Sequence, residues 1–459
     1  MQVKLAGYNI DKHLIDKLGN DISATPEVIS AAYARISRSS KSVTELRSAA
    51  CKDVAKARSS NWEIVFEMGH ASVAEHAVFN FDIIGISRYL AEFIQKNRLA
   101  SFTEKSQRYV TLDGDYVLPA EIEQSRFKDD FVQMMAKSFQ LYSTLYEELK
   151  LQKAAEQTWN SKRDLEGAAK EDARYILPLC TKTQMGMTIN ARSLELLLRR
   201  LAAIPLVEAK ELYQSLFNEV KEIAPSIIRF VEADDLPGSI SECKIKANAE
   251  HTDFNETTLI QNPQKGDDTI LTAMLFEQNG GNFNELLTRV SALNKAEKKA
   301  IWKQFFTGIQ PWHKMPRAFE LVDFTFELTM SASCYAQFKR HRLCTIIKSP
   351  YTATDGYVLP PAIKSDKQIK LITAHLAKTE LLAEKIKTIH PILYPYALAN
   401  AHRVRVLVKM NLRELYHFVR LRSDEHAQWE IQELSEDLRN IVIKHCPLSA
   451  QWLMGKSEM

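Results

Sequence analysis

Asp113-Gly-Asp-Tyr-Val-Leu-Pro119 and Asp355-Gly-Tyr-Val-Leu-Pro360 are nearly the same phrase, written twice in one chain. Working outward, each phrase has the same company. Before each lies an alternating apolar run, Val78-Phe-Asn-Phe-Asp-Ile-Ile84 and Val322-Asp-Phe-Thr-Phe-Glu-Leu328, and alternation predicts strands. An acidic residue, Glu75 or Glu320, precedes each run. After each run comes a helical stretch ending in a basic cluster, Gln95-Lys-Asn-Arg98 or Lys339-Arg-His-Arg342. Later still, Asn190-Ala-Arg-Ser-Leu194 answers Asn411-Leu-Arg-Glu-Leu415. The matches keep their order at separations of about 220 to 245 residues, which identifies an internal duplication. Repeat 1 is read as 1–232 and repeat 2 as 269–459. The stretch 233–268 holds Leu-Pro-Gly and Asn-Pro and few large apolar residues, so it is read as a linker.

Between these landmarks the pattern is mostly helical. Phe127, Phe131, Met135, Tyr142, Tyr146 and Leu149 recur at multiples of three to four, the stripe of an amphipathic helix. The chain therefore mixes helices with short strands in each repeat of roughly 200 residues, and the two copies are expected to pair as a pseudo-dimer. Sixty basic against 57 acidic residues leave a net charge of +3, too balanced to call for a nucleic-acid or membrane partner. No apolar run reaches transmembrane length and the N-terminus lacks a signal-like core, so a cytoplasmic location with reduced thiols is expected. None of the 14 glycines forms a G-x-G-x-x-G or P-loop pattern, so any nucleotide must be held by side chains and helix ends.

Several groups could do so. Gln337 and Arg340 are three apart, so they share one helix face, with His341 and Arg342 fanning around its C-terminal turn. Arginine forks suit phosphate, and a glutamine amide can read a base edge; the plain alternative is a basic helix end complementing its dipole. Ser101-Phe-Thr-Glu-Lys-Ser-Gln-Arg-Tyr109 could form a loop that wraps a phosphate, or simply a polar turn opening a strand. Asn411 and Arg422 fall on one helix face, about 16 Å apart, and Ser423 or Asp424 is expected to cap the helix that follows. His70-Ala-Ser-Val-Ala-Glu-His76 matches neither zinc-binding helix pattern, and no metal is expected.

Arg340-His-Arg342 with Gln337 before it resembles the signature of the flavin-dependent thymidylate synthases. Repeat 1 supplies the second half of that signature, Ser106-Gln-Arg-Tyr109, and repeat 2 supplies the first half. His70-x-Ser72-x-x-Glu75-His76, Glu171-x-x-Arg174-x-x-Leu177-Pro178 and Asn190-Ala-Arg192 resemble further family motifs in repeat 1. Asn411-x-Arg413, Leu421-Arg422 and His426-Ala-Gln-Trp-Glu-Ile431 resemble the family's C-terminal block in repeat 2. The departures are complementary. Repeat 1 has Lys96-Asn97 where the family has Arg-His, and Leu201 in place of the late arginine. Repeat 2 has Lys348-Ser-Pro-Tyr351, which lacks the loop arginine, and Pro395 near the expected E-x-x-R arginine.

The resemblance implies a reductive methylation of dUMP to dTMP, with methylenetetrahydrofolate giving the carbon, FAD carrying the hydride and NADPH reducing it. It implies an α+β fold class, two tandem copies of helices around a small antiparallel sheet packed as a pseudo-dimer, with one composite site between unlike repeats and a homodimer standing for the family's homotetramer. Arg422 would stabilise negative charge on the uracil. Gln337, Arg340, Glu104, Lys105, Ser106, Gln107, Arg108 and Arg174 would hold the nucleotide. His70, Ser72, Glu75, Arg340, His341, Arg342, Asn190, Arg192, Asn411 and Arg413 are the implied FAD contacts, with the choice between duplicated positions open. The alternatives are a non-catalytic FAD or nucleotide-binding relative, or a flavin enzyme acting on another uracil-containing substrate.

Overall fold

The computed structural model describes residues 1–10, 25–36, 39–156, 158–233 and 257–458. The first repeat contributes strand β1 (Gln2–Tyr8), helices α1 (Glu27–Ala34), α2 (Val43–Lys52) and α3 (Val54–Trp62), strand β2 (Val78–Ser87), helix α4 (Arg88–Ile94), strand β3 (Ala100–Glu104), helices α5 (Lys128–Glu156) and α6 (Lys162–Ala173), strand β4 (Lys182–Asn190), and helices α7 (Ala191–Ala202) and α8 (Val207–Val220). The second contributes β5 (Thr257–Gln261), α9 (Gly266–Asn279), α10 (Phe283–Ala292), α11 (Lys295–Phe306), β6 (Asp323–Ser331), α12 (Ala332–Phe338), β7 (Thr345–Lys348), α13 (Asp366–Lys387), β8 (Arg403–Asn411), α14 (Leu412–Arg422) and α15 (Trp429–His445). The fold is a tandem α+β arrangement.

Each repeat builds a four-stranded antiparallel sheet of the same order, β1-β2-β4-β3 and β5-β6-β8-β7. The registers correspond: Val78 faces Asn190 across β2 and β4, and Asp323 faces Asn411 across β6 and β8. Alternation sets which face is buried. Phe79, Phe81 and Ile83 point into one core, as do Phe324, Phe326 and Leu328 in the other. One difference explains why the repeat spacing changes by a residue within this strand. Between Ile84 and Ile86 the register of β2 slips, and Gly85 sits at the bulge with φ of +79°. Strand β6 pairs through the same region without a shift. The bulge absorbs the extra residue of repeat 1, and glycine tolerates the left-handed backbone there.

Both sheet strands end in the same device. Ser87 caps α4 by accepting from the Leu90 amide at 2.9 Å, and Ser331 caps α12 by accepting from Cys334 at 3.0 Å. A buried glutamate then holds each serine twice. Glu208 accepts from the Ser87 amide (2.6 Å) and hydroxyl (2.9 Å). Glu430 accepts from the Ser331 amide (2.8 Å) and hydroxyl (2.5 Å). Asn190 and Asn411 likewise cap α7 and α14, each accepting from the amide three residues on at 2.8 Å.

The compact units do not coincide with the repeats. One unit comprises 1–247 with 362–399; the other comprises 248–361 with 400–459. Helix α13 of the second repeat therefore belongs with the first unit. Its buried stripe, including Ile372, Leu376, Leu382 and Ile386, explains this: it packs against α5, where Ser138 Oγ meets His375 Nε2 at 2.9 Å in a buried contact. Helix α5 carries the predicted stripe, with Phe131, Met135, Tyr142, Tyr146 and Leu149 all buried. Of the span read as a linker, 234–256 lie outside the described residues, as does Cys243. The rest is not linker: Thr257–Gln261 pairs with β6, and α9 begins at Gly266.

Two local expectations are corrected. Helix α12 ends at Phe338, so Gln337 is helical while Arg340 lies in the turn beyond it, and they do not share a helix face. The helix after α14 is capped by Gln428, not by Ser423 or Asp424. Ser423 is instead held to Ser435 Oγ at 2.9 Å, and Asp424 turns the chain by accepting from the His426 amide. Among the described residues no disulfide joins the cysteines, no group of three or more His, Cys, Asp or Glu could hold a metal, and no helix is long and apolar enough to cross a membrane.

Candidate functional site

The first unit gathers one half of the candidate residues. Strand β3 delivers Glu104 to its end, and the chain then turns through Lys105, Ser106, Gln107 and Arg108. Glu104 is occupied by its own sheet. Thr183 Oγ1 donates to one carboxylate oxygen at 3.0 Å and Gln95 Nε2 to the other at 2.9 Å. It fixes the start of the loop, and Lys105 extends that hold by donating its amide to the Gln184 carbonyl at 2.9 Å. Ser106 Oγ accepts from the Arg108 amide at 3.2 Å, which tightens the turn. Gln107 is buried.

The loop arginine and the E-x-x-R arginine meet at one carboxylate. Arg108 Nε lies 2.5 Å from Glu171 Oε2, near the end of α6. Arg174 follows within the next turn and is buried. Burial pushes the Glu171 carboxyl above its ordinary range, while Arg174 and Arg108 pull it back. Burial also pushes Arg174 below its usual value, opposed first by Glu171. Two guanidiniums around one desolvated carboxylate make a cluster that an anion would relieve.

The second unit gathers the other half. Gln337 is buried in α12 and its amide donates to Gln428 Oε1 at 3.3 Å. Arg340 is exposed in the following turn; His341 is buried and Arg342 half-buried. Helix α14 carries Arg422 to the same place. Arg422 Nε donates to His341 Nε2 at 3.0 Å, and its Nη2 lies 3.4 Å from the Gln337 carbonyl. The late arginine, the histidine and the glutamine therefore come together. In the first repeat the matching residue, Leu201, is fully buried in α7.

The implied flavin contacts exist in two unequal copies. In repeat 1, His70 and Ser72 are exposed, and Arg192 pairs with Glu75 at 2.6 Å while remaining 54% exposed. Nearby, Glu195 takes Arg199 at 3.2 Å and also accepts from the Arg229 and Phe230 amides. In repeat 2, Asn411 and Arg413 line a cavity of about 600 Å³. Arg413 pairs with Glu320 at 2.7 Å and donates Nε to the Met315 carbonyl at 2.7 Å. Glu320 also holds Arg317, and these two arginines, Arg317 first, keep its carboxyl below the ordinary range against the effect of burial.

The same cavity wall carries residues that motif reasoning missed: Trp312, His313, Lys314, Arg317, His417 and Arg420. Trp312 is 72% exposed, a flat apolar plate at the rim. Arg420 Nη2 donates to the His313 carbonyl at 3.0 Å, while its buried Nε has no hydrogen-bond partner. Burial pushes Arg420 below its usual value. The available signal was the run Trp312-His-Lys-Met-Pro-Arg317, aromatic and basic together. Four cationic side chains against Glu320 and Glu414 leave this wall net positive. Such a wall suits a ligand with phosphates and a flat ring.

Comparison with known proteins agrees with the duplication. Residues 20–226 and 258–448 each match the family described as Thymidylate synthase complementing protein, Thy1. This chain belongs to that family. The second match begins inside the span read as a linker, in β5. A UPF0159 protein of Thermoplasma acidophilum is 26% identical over 82% of this chain and 84% of its own length, so the doubled form is shared. A flavin-dependent thymidylate synthase of Clostridium tetani is 29% identical over 48% of this chain and 88% of its own. The thymidylate synthase ThyX of Helicobacter pylori, solved with FAD and dUMP, is 21% identical, with 50% of this chain and 98% of that one covered at a TM-score of 0.31.

Proposed function

We propose that this chain is a FAD-dependent synthase that converts dUMP to dTMP, using residues of both repeats for one reaction. Methylenetetrahydrofolate gives the one-carbon unit, NADPH gives the hydride equivalent, and tetrahydrofolate and NADP leave. FAD supplies the hydride-carrying chemistry when bound. The repeat 2 cavity fits that cofactor: it is cationic, it has an aromatic rim, and the buried Arg420 Nε on its wall is a donor without a hydrogen-bond partner. Asn411, Arg413 and Arg420 would hold its anionic portion.

The observation that carries the reading is that each repeat keeps what the other lacks. Arg108 and Arg174 surround Glu171 in one unit. Gln337, His341 and Arg422 are bonded together in the other. Arg108, Arg174, Ser106 and Gln107 would hold the nucleotide phosphate and sugar. Gln337 and Arg340 would orient the ring, and Arg422 would stabilise negative charge on the uracil carbonyl edge. A guanidinium already fixed by His341 does this with little reorganisation. Two chains would supply the copies that four subunits supply in undivided relatives.

The test uses the purified full chain. A yellow protein whose flavin is bleached by NADPH with dUMP present, and which restores growth of a thymidine-requiring bacterium, is the expected result. Arg108→Ala and Arg422→Ala should each abolish dUMP binding on their own. If either variant binds dUMP as well as the parent, the two half-sets do not serve one reaction.

A further inference from the structure

Helix α14 opens with Asn411-Leu-Arg-Glu414, whereas the matching start of α7 reads Asn190-Ala-Arg-Ser193. The glutamate is buried, which is costly unless it has a task. Its Oε1 accepts from Cys344 Sγ at 3.8 Å and lies 3.5 Å from His341 Nδ1, within ion-pair reach but outside hydrogen-bonding geometry. The other nitrogen of the same ring, Nε2, receives the Arg422 Nε–H at 3.0 Å. An arginine Nε is always a donor, so His341 Nε2 must be the acceptor. A neutral imidazole then carries its one proton on Nδ1, on the side of Glu414.

Burial favours that neutral ring by holding its pKa below the ordinary 6.5; Glu414 opposes this shift, while Arg422 and His417 add to it. Phe418, with ring centroid 4.7 Å away, and His417 at 5.7 Å confine the plane of the imidazole. The result is a line from Glu414 through His341 to the guanidinium of Arg422. Repeat 1 has lost the line as a set. Asn97, Ser193 and Leu201 stand at the three matching positions. There Asn97 serves its own turn, donating to the Ile94 carbonyl at 2.8 Å and accepting from Arg200 at 3.3 Å.

We propose that Glu414 is a positioning residue: it fixes the Nδ1–H tautomer of His341 and, through that ring, the orientation of the Arg422 guanidinium. The proposal rests on the reading of Arg422 as the group that meets the uracil. With serine at 414 the ring can place its proton on Nε2, which would point two donors at each other and release Arg422.

The experiment takes the full-length, FAD-loaded chain with nitrogen-15 histidine, the His341 signal being assigned by its loss in His341→Asn. The parent should show a protonated Nδ1 and an unprotonated Nε2. Glu414→Ser should mix or reverse the tautomers and lower kcat for dUMP at least tenfold, with flavin content kept and KM changed less than threefold. Glu414→Gln, whose amide oxygen keeps an acceptor facing Nδ1–H, should recover most of the loss. A parent ring protonated on Nε2 overturns the proposal, as does a Glu414→Ser variant with parental tautomer and turnover. If the parent itself does not turn over dUMP, the proposed reaction fails, and the tautomers of parent and Glu414→Gln still decide the role of Glu414.

Discussion

Arg413 Nη1 lies 2.7 Å from Glu320 Oε1, and Arg192 repeats the pair with Glu75 at 2.6 Å in the first repeat. The two pairs come from matching sequence but stand in different surroundings. The Arg413 side chain is 33% exposed and also holds the Met315 carbonyl, inside the cationic cavity. Arg192 is 54% exposed, where an ion pair contributes about 0–1 kcal/mol. Flavin fluorescence titration should find Arg413→Ala at least about tenfold weaker, a loss of about 1.4 kcal/mol. Arg192→Ala should change affinity by less than about threefold, within 0.7 kcal/mol by the same conversion. Equal losses in the two variants would mean that flavin meets both arginines alike and that the cavity around Arg413 is not its particular site.

Glu430 tests how much of the second sheet depends on one buried carboxylate. It satisfies both the amide and the hydroxyl of Ser331, and Ser331 in turn caps α12, the helix that presents Gln337. Glu430→Ala leaves two buried donors without an acceptor, at about 1–3 kcal/mol each before relaxation. Urea unfolding should show a loss of roughly 2–4 kcal/mol with little change in slope. Glu208→Ala should lose a similar amount, because it strands Ser87 and the Tyr396 hydroxyl together.

His341 gives stability an acid dependence of known sign. Its folded pKa is held below the ordinary 6.5, first by burial. Between the folded value and 6.5 the unfolded chain binds the proton more readily than the folded one. Stability from this group is therefore full above 6.5 and is lost as pH falls towards the folded value, by up to about 1.4 kcal/mol per pH unit for one proton. Thermal unfolding across that window should be less steep with pH in His341→Asn, which removes the titrating ring. An unchanged slope would show that other groups set the acid response.

Sequence carried the duplication because its landmarks are local. The strand alternation at Phe79 and Phe324, the repeated Asn190 and Asn411 motifs, and the stripe on α5 all follow from short-range spacing, though that the two asparagines are helix caps is seen only in the fold. What spacing could not carry was partnership over long separations. Nothing near His375 announces that it meets Ser138, so the departure of α13 to the first unit was invisible. Glu104 reads as a ligand residue in its motif, and only the fold shows that Thr183 and Gln95 take its oxygens. Glu414 sits in plain view inside a motif, but its meaning depends on His341, which arrives from a different turn.

Gly455 offers a way to move Arg422 without touching it. A Cβ there would lie 2.7 Å from the Ser423 carbonyl oxygen and 2.9 Å from its carbon, both backbone atoms that cannot rotate aside. Ser423 follows Arg422 directly, is buried, and is tied to Ser435, so the clash must shift the end of α14 or the C-terminal segment. Gly455→Ala should cost about 1–3 kcal/mol as overpacking does, and it should also weaken dUMP binding by disturbing the Arg422 guanidinium. Gly266→Ala is the matched control. Its Cβ would meet Cys446 Sγ, at the start of α9 and away from Arg422, so it should destabilise comparably while leaving dUMP affinity of the folded protein unchanged. Parallel unfolding and equilibrium dialysis separate the outcomes. If both variants lose dUMP affinity to the same degree, the loss reflects general destabilisation, and close packing of Gly455 on Ser423 has no part in setting the arginine.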